Sequence, residues 1–177
     1  LRGFKWLASH AKEVVQWLST EKQLEENGMT QFQETAKSAG LNFGLGLQGI
    51  KSAHRGQILV KGDASVTGSI DLDSHFKKVE PSANRWDDGI GLKRVKEFAF
   101  WVDARPANST GDIDAIIEKL TGLKSKLDID KLKHLATLTG HTKEMDEIPF
   151  RWMYKGKGVS YRRQGIAPVS KTWNGTA

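Results

Sequence analysis

Between Glu97 and Leu127 the spacing of apolar residues changes once, from every second position to helical spacing. In Glu97 to Arg105, alternation puts Phe98, Phe100, Val102 and Ala104 on one side, and Glu97, Ala99, Trp101, Asp103 and Arg105 on the other. Such alternation fits a strand, whose successive side chains point to opposite faces. Pro106 ends it, because a proline nitrogen cannot extend a ladder. Ile113, Ile116, Ile117, Leu120, Leu123 and Leu127 then form one stripe of a helix from about Asp112 to Leu127. Its other face holds Glu118, Lys119, Lys124 and Lys126. Upstream, Trp86 to Leu92 pairs with Glu97 to Arg105 as a hairpin with the basic turn Lys93 to Lys96.

The remaining chain fits around this unit. Helical spacing predicts a first helix from about Phe4 to Glu25 and a second from Thr30 to Ser38, with Gly40 as its stop. Gln57 to Lys61 and Ser65 to Leu72 read as strands joined at Gly62-Asp63, followed by a loop from Lys77 to Arg85. Asp130 to Leu138 continues as a helix stopped by Gly140, and Phe150 to Tyr154 is a final strand. The expectation is an α/β (α+β) fold, a mixed central sheet flanked by helices. It occupies residues 1–154 as a single domain, with the first helix at 4–25, a core from about 30 to 154, and a basic tail at 155–177.

The 177 residues include no cysteine, which excludes thiolate metal sites, disulfides and thiol catalysis. That composition fits a reducing cytoplasm, and no apolar run approaches the roughly 18 residues that span a bilayer. Net charge is +6. Lys155, Lys157, Arg162, Arg163 and Lys171 are interleaved with Tyr161 and Trp173, with no acidic residue after Met153. Basic groups among aromatic rings suit a phosphate backbone and stacked bases. Nucleic acid, DNA or RNA, is therefore the expected partner, and a membrane is not.

Several chemistries fall away. Gly44, Gly46 and Gly49 form a G-x-G-x-x-G string, but a helix rather than a strand precedes it, so it reads as a turn or irregular strand rather than a dinucleotide loop. The histidines His10, His54, His75, His134 and His141 lack metal-ligand spacing. Asp71 and Asp73 would share one strand face, most simply as solvated carboxylates. Trp86 and Trp101 flank the hairpin and read either as core or as base-stacking rings.

One constellation remains. Asp103 and Arg105 project side by side at the end of their strand, and a hairpin brings Asp87 or Asp88 near them. Two converging carboxylates are a minimal Mg²⁺ site, since that ion takes one or two carboxylates plus water and phosphate oxygens. This arrangement resembles the PD-(D/E)XK nuclease superfamily, whose core runs helix, three strands, helix, strand. An Asp opens its second strand, and an acid and a Lys sit two positions apart on the third. The resemblance covers most of the chain, Thr30 to Tyr154, and implies a restriction-endonuclease-like core. It gives Asp87 or Asp88 the first acidic place, Asp103 the second and Arg105 the lysine's place, with Glu34 as an additional ligand. It further implies Mg²⁺ or Mn²⁺ as cofactor, Asp88, Asp103 and Arg105 as the catalytic set, and Asp87, Asp88, Asp103 and Glu34 as the metal-binding set. Arg105 departs from the pattern: a guanidinium clamps phosphate but cannot lose a proton near neutral pH.

The function expected is Mg-dependent phosphodiester hydrolysis. Lys93, Arg94 and Lys96 of the turn, with Lys155, Lys157, Arg162 and Arg163 of the tail, would track the backbone. Two alternatives stand beside it: a nucleic-acid binder on a degenerate nuclease core, and a protein-interaction subunit of a defence or repair complex.

Overall fold

A computed structural model describes residues 28–60, 64–105, 110–144, 148–153 and 166–169. The chain divides into two units, Leu1–Gln31 and Phe32–Ala177, and the elements described make up the second, the first helix beginning at the boundary. The expected helix at 4–25 and the Gly62-Asp63 turn lie outside the described residues. In order, the elements are α1 (Gln31–Ser38), β1 (Phe43–Gly44), α2 (Ser52–Arg55), β2 (Ser65–Asp71), α3 (Leu72–Lys77), β3 (Asp88–Lys93), β4 (Glu97–Ala104), α4 (Thr110–Leu127), a 3₁₀ turn (Asp130–Leu132), α5 (Lys133–Glu144), β5 (Phe150–Met153) and β6 (Ile166–Val169).

One six-stranded mixed sheet organises them, in sequence order from β1 to β6. β1 to β4 form an antiparallel meander, and β5 and β6 run parallel to β4. A parallel neighbour requires a crossover, which α4, the 3₁₀ turn and α5 provide between β4 and β5. β4 lies centrally, with Glu97 to Asp103 all buried.

The alternation of β4 separates two apolar cores. Ala99 and Trp101 join Phe32 and Ala36 of α1, Ile116, Leu120 and Leu123 of α4, and Leu135 and Leu138 of α5. Phe98, Phe100 and Val102 face the other way, with Ile90, Leu92 and Met153 of the sheet. That side is covered by Ile50 and Ile58, from the irregular segment around α2.

Gly40 stops α1 as expected. It takes a left-handed φ of 73°, while Leu41 N–H donates to Ala36 O and Gly40 N–H to Lys37 O. This is the Schellman arrangement, which glycine favours because it has no Cβ to clash.

Five expectations are corrected. Of the strand expected from Gln57 to Lys61, the described residues Gln57 to Val60 do not form one: Ile58 makes a single bridge, and Gln57 and Ile58 donate to His54 O and Arg55 O in turns. The short apolar run serves to plug the second core through Ile58. β2 stops at Asp71, which accepts from Ser74 N–H and caps α3, so the strand does not run through Leu72. The hairpin's first arm begins at Asp88 rather than Trp86. Gly140 does not stop α5, because the buried face made by Leu135, Leu138, Thr139 and Thr142 continues past it. A buried face outweighs the roughly 1 kcal/mol cost of a helical glycine. Finally, Ile166–Val169, within the segment expected as tail, supplies β6 to the sheet.

Candidate functional site

At one end of the sheet, β2 ends, β3 begins and β4 ends within hydrogen-bonding reach of one another. Asp88 pairs with Val102 in the register of β3 and β4. Directly opposed residues share a face of the sheet, so Asp88 lies on the Val102 side. Asp87, one residue earlier, falls to the Asp103 side. Adjacent aspartates therefore serve opposite faces.

On the helical face, the Lys119 ammonium from α4 binds both Asp103 Oδ2 and, at 3.1 Å, Asp87 Oδ1. Asp87 Oδ2 also accepts from Ala104 N–H at 2.9 Å. Arg105 Nε donates to Asp103 Oδ1 at 2.9 Å, the pairing that two positions along one strand allow. The Arg105 backbone is held by β5: its N–H donates to Met153 O and its carbonyl accepts from Trp152 Nε1. Asp103 is fully buried. Burial lifts its carboxyl to about 6, Asp87's charge adding to the rise and Lys119 opposing it.

On the opposite face, His54 Nδ1 lies 2.6 Å from Asp88 Oδ2. Asp88 is also fully buried, and its Oδ1 has no hydrogen-bond partner among the described residues. Burial raises this carboxyl to about 6, against the His54 hydrogen bond. The hydrogen bond to Asp88 raises His54 in turn, against its partial burial.

A further charged cluster adjoins Asp87 through the backbone of Asp73. Asp73 accepts from Lys51 Nζ at 2.8 Å and from Arg85 Nε at 2.9 Å. Burial works to raise the Asp73 carboxyl, but these two cations bring it below its ordinary value. Arg85 also donates to the Glu80, Pro81 and Ala83 carbonyls, which orders the loop leading to Asp87. Leu72 N–H and Asp73 N–H both donate to Asp87 O. Asp71 and Asp73 thus have separate structural partners and do not form a carboxylate pair on a strand.

Of the residues singled out from sequence, Asp87, Asp103 and Arg105 come together. Asp88 is turned away from them. Glu34 is half-buried on α1, and among the described residues no three His, Asp or Glu side chains converge as metal ligands. Lys93, Arg94 and Lys96 form the turn at the other end of the hairpin, about 17 Å from Asp88 at 3.4 Å per strand residue. Lys155, Lys157, Arg162 and Arg163 lie outside the described residues. Trp86 and Trp101 are core residues, 2% and 1% exposed, and Trp101 Nε1 donates to Thr139 Oγ1. Gly44 and Gly49 pack backbone against backbone, where a Cβ on either would collide. The glycine string is thus a close chain crossing.

Two residues of the site escape the sequence argument. Lys119 stands three positions after Ile116 and four before Leu123, which places it at the edge of the buried stripe. That spacing was the available signal. His54 meets Asp88 across 34 residues, and nothing local announces the pairing.

In comparisons with known proteins, the chain matches no family model, no curated protein and no solved structure. Among the described residues no helix is long and apolar enough to cross a membrane.

Proposed function

We propose that the chain is a nucleic-acid-processing protein with a PD-(D/E)XK-like core that hydrolyses phosphodiester bonds with Mg²⁺ or Mn²⁺. The observation carrying this reading is the pairing of Asp87 and Asp103 on one sheet face under the Lys119 ammonium, with Arg105 beside them. The order α1, β2, β3, β4, α4, β5 also follows the superfamily's helix, three strands, helix, strand.

Asp87 and Asp103 offer hard oxygen donors on one face, a set that suits a small divalent cation completed by water and phosphate oxygens. These two would hold the metal; Asp88 and Glu34 would not. When bound, such an ion polarises the phosphoryl group and lowers the pKa of water. Lys119 is the counter-ion that the pair already possesses, and it becomes available to a phosphate oxygen when the carboxylates take another cation. It also supplies the ammonium that Arg105 does not. Arg105, 29% exposed along its side chain, is placed to clamp phosphate with its planar fork.

A second reading draws on the same geometry. Lys119 and Arg105 already neutralise the buried pair, as they would in a binder that no longer cuts.

The test is incubation of the protein with labelled DNA and RNA in Mg²⁺, Mn²⁺ or EDTA, alongside Asp103→Asn. Metal-dependent cleavage lost in the variant supports the nuclease reading. Binding without cleavage in every condition, weakening steeply with salt, moves the assignment to a binder.

A further inference from the structure

Every carboxylate oxygen of Asp87 and Asp103 has a donor. Asp87 Oδ2 accepts from Ala104 N–H at 2.9 Å, and Asp103 Oδ1 accepts from Arg105 Nε at 2.9 Å. The other two, Asp87 Oδ1 and Asp103 Oδ2, are joined by Lys119 Nζ, which lies 3.1 Å from the first and in direct contact with the second. Lys119 is thus the partner that the two carboxylates share, and it holds them as a bridging cation does. Any other cation that bridges the pair through these oxygens competes with that ammonium.

Charge points the same way. The cluster is formally neutral, with two carboxylates against one ammonium and one guanidinium. Asp103 is fully buried, and the Lys119 side chain is 5% exposed. Uncompensated charge is costly in such surroundings, because a low dielectric screens it poorly. A divalent ion added to this set leaves positive charge in excess, so the ammonium must withdraw, an anion must enter, or both. The Ala104 N–H is fixed in the backbone of β4, whereas Lys119 ends a flexible stem. Arg105 and Asp87 are the more exposed members, at 29% and 14% along their side chains. A phosphate arriving on that side meets the guanidinium first.

We propose that Lys119 is a built-in competitor for the divalent ion, so that the site takes the ion together with a phosphodiester and only weakly alone. This rests on the nuclease reading above. The ammonium released from the carboxylates is neutralised by the phosphate that enters, which restores the charge balance. Each ligand then raises the affinity of the other by the same factor, as linkage requires. A purely structural lysine behaves in the opposite way. Its removal would disorder the carboxylates and weaken ion binding, whereas removal of a competitor strengthens it.

The experiment measures Mn²⁺ binding to the full chain by electron paramagnetic resonance at pH 8. Binding is measured alone and with excess dimethyl phosphate, a phosphodiester that presupposes neither DNA nor RNA. In the wild type, dimethyl phosphate should tighten Mn²⁺ binding about 10-fold or more. Lys119→Met should tighten the binding of Mn²⁺ alone about 10-fold or more, and should shrink the effect of dimethyl phosphate. Lys119→Gln, which keeps a donor but no charge, should act in the same direction and serves if Lys119→Met does not fold. Adding Asp103→Asn to either variant should abolish the gain, which places the ion on the carboxylates.

Neutral variants that fold and bind Mn²⁺ no more tightly than the wild type overturn the competitor role and leave the metal site standing. A wild type that binds Mn²⁺ equally well with and without dimethyl phosphate overturns the coupled binding. If no form shows binding of Mn²⁺ that depends on Asp103, even with dimethyl phosphate, the metal-dependent reading falls and the competitor role falls with it.

Discussion

Asp87 and Asp88 are neighbours in sequence, yet they solve the problem of a buried carboxylate in different ways. On the helical face, Asp87 and Asp103 share one ammonium, with an arginine and a backbone N–H completing the shell. On the opposite face, Asp88 has a single imidazole and an oxygen without a partner. The first arrangement is rich in permanent positive charge. The second relies on a group whose charge depends on pH. The cover differs in the same sense: two long helices pack over one face, and a short helical turn within an irregular segment over the other. A lysine stem reaches from a packed helix to the strand ends on one face, whereas Asp88 on the other is met by the shorter imidazole of His54.

The sharpest way to break this comparison is to remove Lys119. Lys119→Met should cost about 3–5 kcal/mol, because it strands two carboxylates in a site built around a cation. Urea unfolding at pH 8 measures this, and adding Asp103→Asn should recover part of the loss. A cost under about 1 kcal/mol would mean that the carboxylates are solvated and the two faces are alike.

His54→Ala should cost less, about 1–3 kcal/mol at pH 7, because Asp88 can meet the loss by taking up a proton. The same substitution should cost more at pH 5, where the stability from His54's raised pKa is fully present. Equal costs at both pH values would show that His54 contributes packing alone.

The smallest effect is on the whole protein's pH profile. Asp88 and Asp103 have carboxyls raised to about 6 by burial, so the folded state holds their protons more tightly than the unfolded chain. Their contribution favours folding at low pH and is lost as pH rises from the ordinary 3.8 through about 6. His54, raised by Asp88, adds stability below its ordinary 6.5 that is lost as pH rises through its folded value. Asp73 is lowered on balance and works in the opposite sense, since its contribution fades only as pH falls below 3.8. Thermal unfolding should therefore show a maximum between about pH 4 and 6, with Tm at pH 8 lower by roughly 5 °C or more. Asp88→Asn should flatten the slope. A Tm that climbs steadily to pH 8 would contradict the assignment of these buried carboxyls.

Residue spacing made half of the site legible. Period two put Asp103 and Arg105 on one side of a strand, and the hairpin brought Asp87 and Asp88 to its end. It could not choose between the two aspartates, because that choice depends on register, and a slip of one residue exchanges the faces. Helical spacing puts Lys119 on the face opposite the apolar stripe, but it is 4% exposed, since the carboxylates of Asp87 and Asp103 at the strand ends hold its charge inside. The strand expected at Gln57 to Lys61 failed for a related reason: a short apolar run specifies burial but not its form.

What the sequence determined by itself was the alternation of β4, the stripe of α4, the left-handed stop at Gly40 and the absence of thiol chemistry. These follow from local geometry and composition, which neighbouring residues carry in full. Only the tertiary structure decided that Asp87 and Asp103 share Lys119, that Asp88 turns to His54, that α5 runs through Gly140 and that Ile166–Val169 joins the sheet. Each of these is a bargain between distant groups, in which burial and charge pairing outweigh local preference.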